Sequence, residues 1–391
     1  MTTATQLDPA NLDRRRYRKI LWFFGGAIAR IIWWDLLLAR IFLFRARVRG
    51  SRPERFRRLA RRFRDLAVEM GGVMIKLGQF FSSRVDVLPP EITEELAGLQ
   101  DEVPPVPMVA IQEVLAAELG DVSRHFDVFE TEPLAAASLG QAHRARLATL
   151  AGASDGSPNS NRESVGPMVI VKVQRPNIED TVRTDLAALN VVARWVMRYP
   201  PIRRRADVPA LMDEFAATLW EELDYELEAD NAEHFGRLFS DDPNVVVPAV
   251  HREHSTGRVL VLQDVTGIKI TDFEALDRAG IDRSQVAMRL LDAYFRMIFK
   301  EGFFHADPHP GNLFVLPVLG RGGGDGQPFR LAFVDFGMVG HIEELMGENL
   351  RKVLVSVTQR DARSLTEAYD DLGFFLPNAD LERITEAQAR V

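Results

Sequence analysis

His305-Ala306-Asp307-Pro308-His309-Pro310-Gly311-Asn312, followed downstream by Val334-Asp335-Phe336-Gly337, is the stretch that decides how the chain is read. Asp335 stands at the end of an apolar run. A carboxylate there can hold a divalent cation, and Gly337 lets the chain turn sharply behind it. Asp307 and Asn312 are five positions apart, so one loop offers a carboxylate and an amide oxygen. Oxygen donors suit hard Mg²⁺, which in turn offsets phosphate charge. His305 and His309 flank the same loop. With no third His or Cys ligand nearby, zinc is disfavoured. His305 is expected to brace the loop through a backbone hydrogen bond.

Upstream, Met168–Gln174 (MVIVKVQ) reads as a strand with Lys172 embedded in it. A lysine inside an apolar strand is rarely buried without a partner. In kinase logic it meets phosphate oxygens and a helix glutamate, the loop Asp handles the acceptor hydroxyl, and the loop Asn and the DFG Asp hold metal. Asp307 is thus the catalytic candidate, Asn312 and Asp335 the metal ligands and Lys172 the ATP contact. The acidic run Trp220–Glu228 offers the glutamate, with Glu228 the best placed. Each signal is weak alone; their order and settings together argue against chance. No Gly-rich loop precedes Lys172. Leu134-Ala135-Ala136-Ala137-Ser138-Leu139-Gly140-Gln141 stands in its place. Alanine does not easily take positive φ or approach phosphate closely, so the nucleotide sits differently or the loop restricts what enters. A plain alanine-rich helix start is the alternative.

Patterning around these elements implies a two-lobed α+β plan with a cleft between the lobes. Residues 51–69 form a basic helix, 70–105 a helix–loop–helix, and Ile111–Leu119 a short amphipathic helix. Strands are expected at Phe126–Phe129, Ala142–Leu147, Val245–Val250 and Arg258–Gln263. Residues 149–167 read as a polar surface loop. Helices are expected over 178–198, 208–239 and 284–301. Leu313–Leu316 and Leu331–Val334 flank a Gly-rich hairpin, Gly320–Gly326. The expected domains are 1–64, 65–122, 123–265 and 266–391.

The 391 residues include no cysteine, which excludes disulfides, thiolate zinc sites and cysteine nucleophiles and fits a cytoplasmic chain. The net charge of -8 hides an asymmetry: residues 1–69 carry 17 Lys/Arg against six Asp/Glu. A basic head suggests an anionic partner. The apolar run 20–43 favours a membrane surface over a nucleic acid. Its length could span a bilayer. Arg30, Asp35 and Arg40 would each cost about 2.5–3.5 kcal/mol at a helix centre, roughly cancelling the gain from its thirteen Leu, Ile and Phe. Trp22, Trp33 and Trp34 with Arg14, Arg15, Arg16, Arg18 and Lys19 suit a headgroup layer. A helix packed on the chain's own body is the competing reading, and a secretory signal a weaker third.

From about residue 65 onward the sequence resembles the ABC1/UbiB (AarF/COQ8-like) atypical kinase family. Lys76-Leu77-Gly78-Gln79 looks like its KxGQ motif, Ala135-Ala136-Ala137-Ser138 like its alanine-rich loop, and Glu222-Leu223-Asp224 like its ExD motif, with Glu228 at the αC-type position. The resemblance implies an atypical protein-kinase-like fold whose N-terminal helices cover the cleft. Lys76 would then meet Glu222 and Asp224 near the phosphates and a protein substrate would be occluded. It also implies Mg²⁺-dependent ATP hydrolysis or lipid phosphorylation supporting prenylquinone biosynthesis at a membrane. Ala135, Ala136, Ala137, Ser138, Gln263 and Val265 are the further nucleotide contacts. In Leu262-Gln263-Asp264-Val265, Gln stands where the family usually has Glu. Only 54 residues follow Gly337, so a truncated C-lobe is expected. Two other readings compete: a non-catalytic, ATP-switched scaffold for a biosynthetic complex, and a small-molecule phosphotransferase of the aminoglycoside-kinase sort.

Overall fold

The computed structural model describes residues 12–82, 88–99, 103–149, 165–203, 207–318, 328–376 and 379–390. Most of the expected polar loop and the whole expected Gly320–Gly326 hairpin lie outside them. The chain forms two compact units: Met1–Glu226 with His251–Asp264, and Leu227–Val250 with Val265–Val391.

The first unit opens with α1 (Arg14–Ile31), capped by Asp13, whose side chain accepts from the Arg15 and Arg16 amides. The helical run continues in wider turns to Leu37 and a short turn to Arg40, and breaks at Ile41 in extended backbone before α2 (Phe42–Gly50). Next come α3 (Arg52–Met70), α4 (Val73–Ser82), α5 (Pro90–Leu96) and α6 (Met108–Leu119). Strands β1 (Phe126–Phe129), β2 (Ala135–Ala136), β3 (Gly140–Leu147) and β4 (Met168–Gln174) follow, then α7 (Ile178–Val196), α8 (Pro200–Arg203), α9 (Val208–Glu222) and α10 (Tyr225–Leu238). After β5 (Val245–Val246) the chain returns as β6 (Val259–Gln263). The sheet order is β1-β3-β4-β6, antiparallel throughout, with β2 paired to β3.

Strand alternation explains how Lys172 is presented. Val169, Val171 and Val173 are fully buried and pack with Ile111 and Leu115 of α6. Such burial contributes about 1.5–3 kcal/mol per side chain. Lys172, between them, is turned to the opposite face.

α1 packs on α7 and buries Ile20 and Ala27. Within the basic cluster, Arg16 is an internal contact: it is bonded to Asp185 at 2.6 Å and to the Met70 carbonyl at 2.9 Å. Asp35, a charge counted against the apolar run, pairs with Arg55 at 3.2 Å, and Arg55 also lies over the Trp34 ring. Trp22 of α1 stays exposed at 81%, and Phe42 at the start of α2 at 88%. By length and composition Arg14–Leu37 could cross a membrane.

Two expectations change. The single helix over 208–239 is two helices, because the Leu223 carbonyl accepts Gln174 Nε2 at 2.5 Å and Asp224 N closes a tight turn on Glu221 O. The expected strand Val245–Val250 is only Val245–Val246.

The second unit continues from α10 and β5 into β7 (Ile268–Lys269), α11 (Phe273–Arg278) and α12 (Arg283–Phe295), which runs on in a wider turn to Glu301. β8 (Phe303–His305), β9 (Leu313–Pro317), β10 (Phe329–Phe333) and β11 (Val339–His341) precede α13 (Glu344–Gln359), α14 (Ala362–Asp371) and α15 (Leu381–Gln388). One sheet has the order β5-β10-β9-β7; β11 pairs with β8. Phe235, Phe333, Phe336 and Met297 fill the core beneath.

Candidate functional site

In the second unit, Asn312 Nδ2 donates to Asp307 Oδ2 at 2.7 Å. Using the nitrogen this way turns the amide oxygen away from Asp307. His309 N donates to the other oxygen of Asp307 at 3.3 Å. Val334 N donates to Asn312 O at 2.9 Å and so ties the 305–312 loop to the strand entering Asp335. His305 is fully buried, and its Nε2 lies 3.3 Å from Val334 O. That is the backbone brace expected of it.

Asp335 has φ +66°, in the left-handed region. This conformation costs an ordinary residue about 1–2 kcal/mol and persists only where neighbours impose it. The neighbours are visible. The Phe336 ring is fully buried, 5.1 Å from Phe235 and 5.6 Å from His305. Its amide donates to Glu228 Oε1 at 3.3 Å and its carbonyl accepts from Asn231 Nδ2 at 3.0 Å. Glu228 and Asn231 are one helical turn apart on α10, so one helix face holds both backbone groups of Phe336. Gly337 N donates to Asp335 Oδ1 at 3.3 Å.

Two residues here were missed from sequence. Asn231 was findable as the residue three positions after Glu228. Tyr294 carries no sequence signal. Its hydroxyl is buried without a hydrogen-bond partner among the described residues. Burial, with the Asp307 charge adding to it, pushes its pKa up to about 12.

Among the described residues no three His, Asp or Glu side chains are grouped to hold a metal. The donor chemistry of Asn312 and Asp335 still fits Mg²⁺, a hard ion that keeps several waters and needs only one or two protein oxygens.

In the first unit, Lys76 Nζ forms an ion pair with Glu222 at 2.5 Å, both side chains mostly shielded. α3, α4 and α9 are held close. Gly78 sits where a Cβ would overlap Leu99 Cδ1 and approach Phe63 Cε1 to 3.1 Å, and Gln79 Nε2 reaches Leu99 O at 3.4 Å. Asp224, exposed, opens α10. Lys172 lies over the Tyr225 ring at 5.8 Å. The alanine-rich segment is not a helix start. Ala135 and Ala136 pair with Ala142 and Gln141, and Ala137 N donates to Gly140 O, so Ala137, Ser138 and Leu139 form a tight hairpin turn. Gly140 passes so close to Tyr225 that a Cβ would stand 2.5 Å from its hydroxyl. Gln263 ends β6, exposed; Asp264 is held by Arg144 at 2.9 Å. Thus Lys76, Lys172, Glu222, Asp224, Ala135–Ser138 and Gln263 belong to the first unit. Glu228, Val265, Asp307, Asn312 and Asp335 belong to the second.

Comparison with known proteins follows the same lines. Residues 98–369 match the ABC1 atypical kinase-like domain. The chain is 39% identical over 329 residues to the chloroplastic "ACTIVITY OF BC1 COMPLEX KINASE 8" of Arabidopsis thaliana, covering 83% of this chain and 40% of that protein. It is 35% identical to the "Probable protein kinase UbiB" of Pseudomonas paraeruginosa, covering 88% of this chain and 60% of that protein. Rv3197 of Mycobacterium tuberculosis, solved with erythromycin, is similar in structure, with a TM-score of 0.54 and 26% identity over 82% of this chain and 74% of that one. The chain spans about half the length of the curated relatives it matches. The fold is a kinase-like α+β fold, and the chain belongs to the ABC1 atypical kinase-like family.

Proposed function

We propose that this chain binds ATP with Mg²⁺ and acts as an atypical kinase or ATPase on a small molecule or lipid, supporting prenylquinone biosynthesis at a membrane surface. The carrying observation is the bonded Asp307–Asn312 pair, joined through Val334 to an Asp335 held in a strained conformation by Glu228 and Asn231. Strain maintained by surrounding structure is a mark of functional positions. Bound Mg²⁺ would supply charge neutralisation for the phosphates. Asn312 and Asp335 are assigned to hold it. Asp307 accepts the proton of the attacking hydroxyl or water, and Lys172 with the alanine turn of residues 135–138 orients phosphate. Lys76 and Glu222 pair α4 with α9 within the unit that carries Lys172, and Asp224 is assigned to the same group, which supports exclusion of a protein substrate.

The membrane part of the reading rests on α1 and α2. Trp22, Trp33 and Phe42 are exposed beside Arg40, Arg45 and Arg47, a pairing of apolar and cationic groups that suits an anionic bilayer surface. The cytoplasmic face of a membrane is the location this implies.

The test is thermal stability with and without Mg-ATP, and phosphate release with and without anionic liposomes. Wild type should be stabilised by Mg-ATP and Asp335→Asn should not. Release that needs Asp307 and rises on liposomes supports the enzyme. Binding without release supports an ATP-switched scaffold instead.

A further inference from the structure

The alanine turn is bonded to the linker following the N-terminal helices at three points. Val103 N donates to Ala136 O at 3.3 Å. Arg175 donates through Nε to Ala137 O and through Nη2 to Pro104 O, both at 3.0 Å. Gln141, opposite Ala136 in the hairpin, accepts Val106 N on its Oε1 at 2.9 Å.

The third bond depends on a buried relay. His143 is fully buried, with Nδ1 2.8 Å from Glu130 O and Nε2 2.9 Å from Gln141 Nε2. A carbonyl only accepts, so Nδ1 carries the proton and Nε2 accepts from the Gln141 amide nitrogen. That orientation leaves Oε1 of Gln141 for Val106 N. Burial lowers the His143 pKa and keeps the ring neutral, as the relay requires.

A glycine loop can fold onto phosphate by its own freedom; an alanine turn has little and must be placed from outside. We propose that Arg175 and His143 are positioning residues that fasten the alanine turn to linker 103–106, so that the turn and the N-terminal helices answer a ligand as one body. This rests on the reading that the turn faces ATP. It gives the N-terminal helices a second role, since whatever moves them also resets the nucleotide-facing turn.

The planar fork of Arg175 reaches two carbonyls at once, which the point charge of lysine cannot do. The decisive variant is therefore Arg175→Lys, which keeps size and charge; Arg175→Ala is its extreme. Amide hydrogen exchange is measured on the full chain without nucleotide, and Mg-ATP affinity by titration. Both variants should exchange faster at the Val103 and Val106 amides, the two that linker 103–106 carries beside its prolines, and at Ala135–Gly140 together, and should bind Mg-ATP about tenfold more weakly, the scale of a lost charge-assisted bond. His143→Phe, which keeps a buried ring but removes both nitrogens, should give the same paired loosening. Wild-type exchange in Arg175→Lys, or loosening of the turn with the linker unchanged, overturns the clamp. A wild type that binds no Mg-ATP overturns the nucleotide reading alone, and the exchange data still decide the fastening.

Discussion

Arg16 grips Asp185 through two hydrogen bonds of 2.6 Å, Nε to Oδ1 and Nη2 to Oδ2, across 169 positions of sequence. The Asp185 side chain is fully buried and that of Arg16 is 17% exposed. A planar guanidinium facing a carboxylate in this way gives geometric specificity as well as energy. It fixes the register of α1 on α7.

Removing one partner of such a pair leaves an uncompensated buried charge. Arg16→Ala should destabilise the protein by about 3–5 kcal/mol. Burial raises the Asp185 pKa, against the opposing pull of Arg16. A carboxyl whose folded pKa lies above its unfolded one contributes stability that is present at low pH and lost as pH rises through the folded value. Without Arg16 that folded pKa rises further, since its lowering contributions are gone. Urea denaturation should therefore find the Arg16→Ala deficit smaller at pH 5 than at pH 8. An equal deficit at both would show that Asp185 does not take up a proton.

Asp335→Gly should separate stability from function. Glycine adopts φ +66° without the steric cost an aspartate bears. The variant should gain about 1 kcal/mol and lose all stabilisation by Mg-ATP. Calorimetry with and without Mg-ATP reads both effects. A variant that keeps the Mg-ATP shift would remove Asp335 from the metal site.

Gly78→Ala places a methyl against Leu99 and Phe63, where α4 crosses its neighbours. Overpacking of a filled core costs about 1–3 kcal/mol. Chemical denaturation should show that loss, and Lys76 should be displaced from Glu222. Gly98→Ala is the control: nothing lies within 4 Å of the added carbon there. Equal losses in the two would refute the packing account of the KxGQ glycine.

Tyr294→Phe should be neutral or slightly stabilising, by up to about 1 kcal/mol, because it removes a buried hydroxyl with no hydrogen-bond partner among the described residues. In the wild type the phenol pKa of about 12 lies above its ordinary 10.0. The sign is that of Asp185: this contribution is complete below pH 10.0 and is lost towards about 12. Ultraviolet titration should show one late-ionising tyrosine that disappears in Tyr294→Phe. A marked destabilisation would mean that the hydroxyl is bonded in solution.

Much was legible before folding because it is local. MVIVKVQ reads as a strand with Lys172 embedded in it from its own residues, and β4 spans the same stretch, Met168–Gln174. Asp307 and Asn312 share one short loop, so their spacing all but sets their contact. The family could be recognised for the same reason: its motifs are short runs whose chemistry depends on neighbours in sequence. What tertiary structure alone decided involves partners far apart. Helical periodicity runs unbroken across 208–239, and α9 ends where the Gln174 side chain takes the Leu223 carbonyl and Asp224 N turns back onto Glu221 O. Alanines suit a helix by propensity, yet pairing with β3 makes them a hairpin arm. Arg16 reads as one more basic residue until Asp185 is seen beside it, and the positive φ of Asp335, which aspartate tolerates better than most residues, is not fixed by its local sequence. That conformation is imposed by Glu228 and Asn231 from α10, about a hundred residues earlier. Sequence carries residue types and their local spacing; which buried polar group meets which distant partner is settled only when the chain closes on itself.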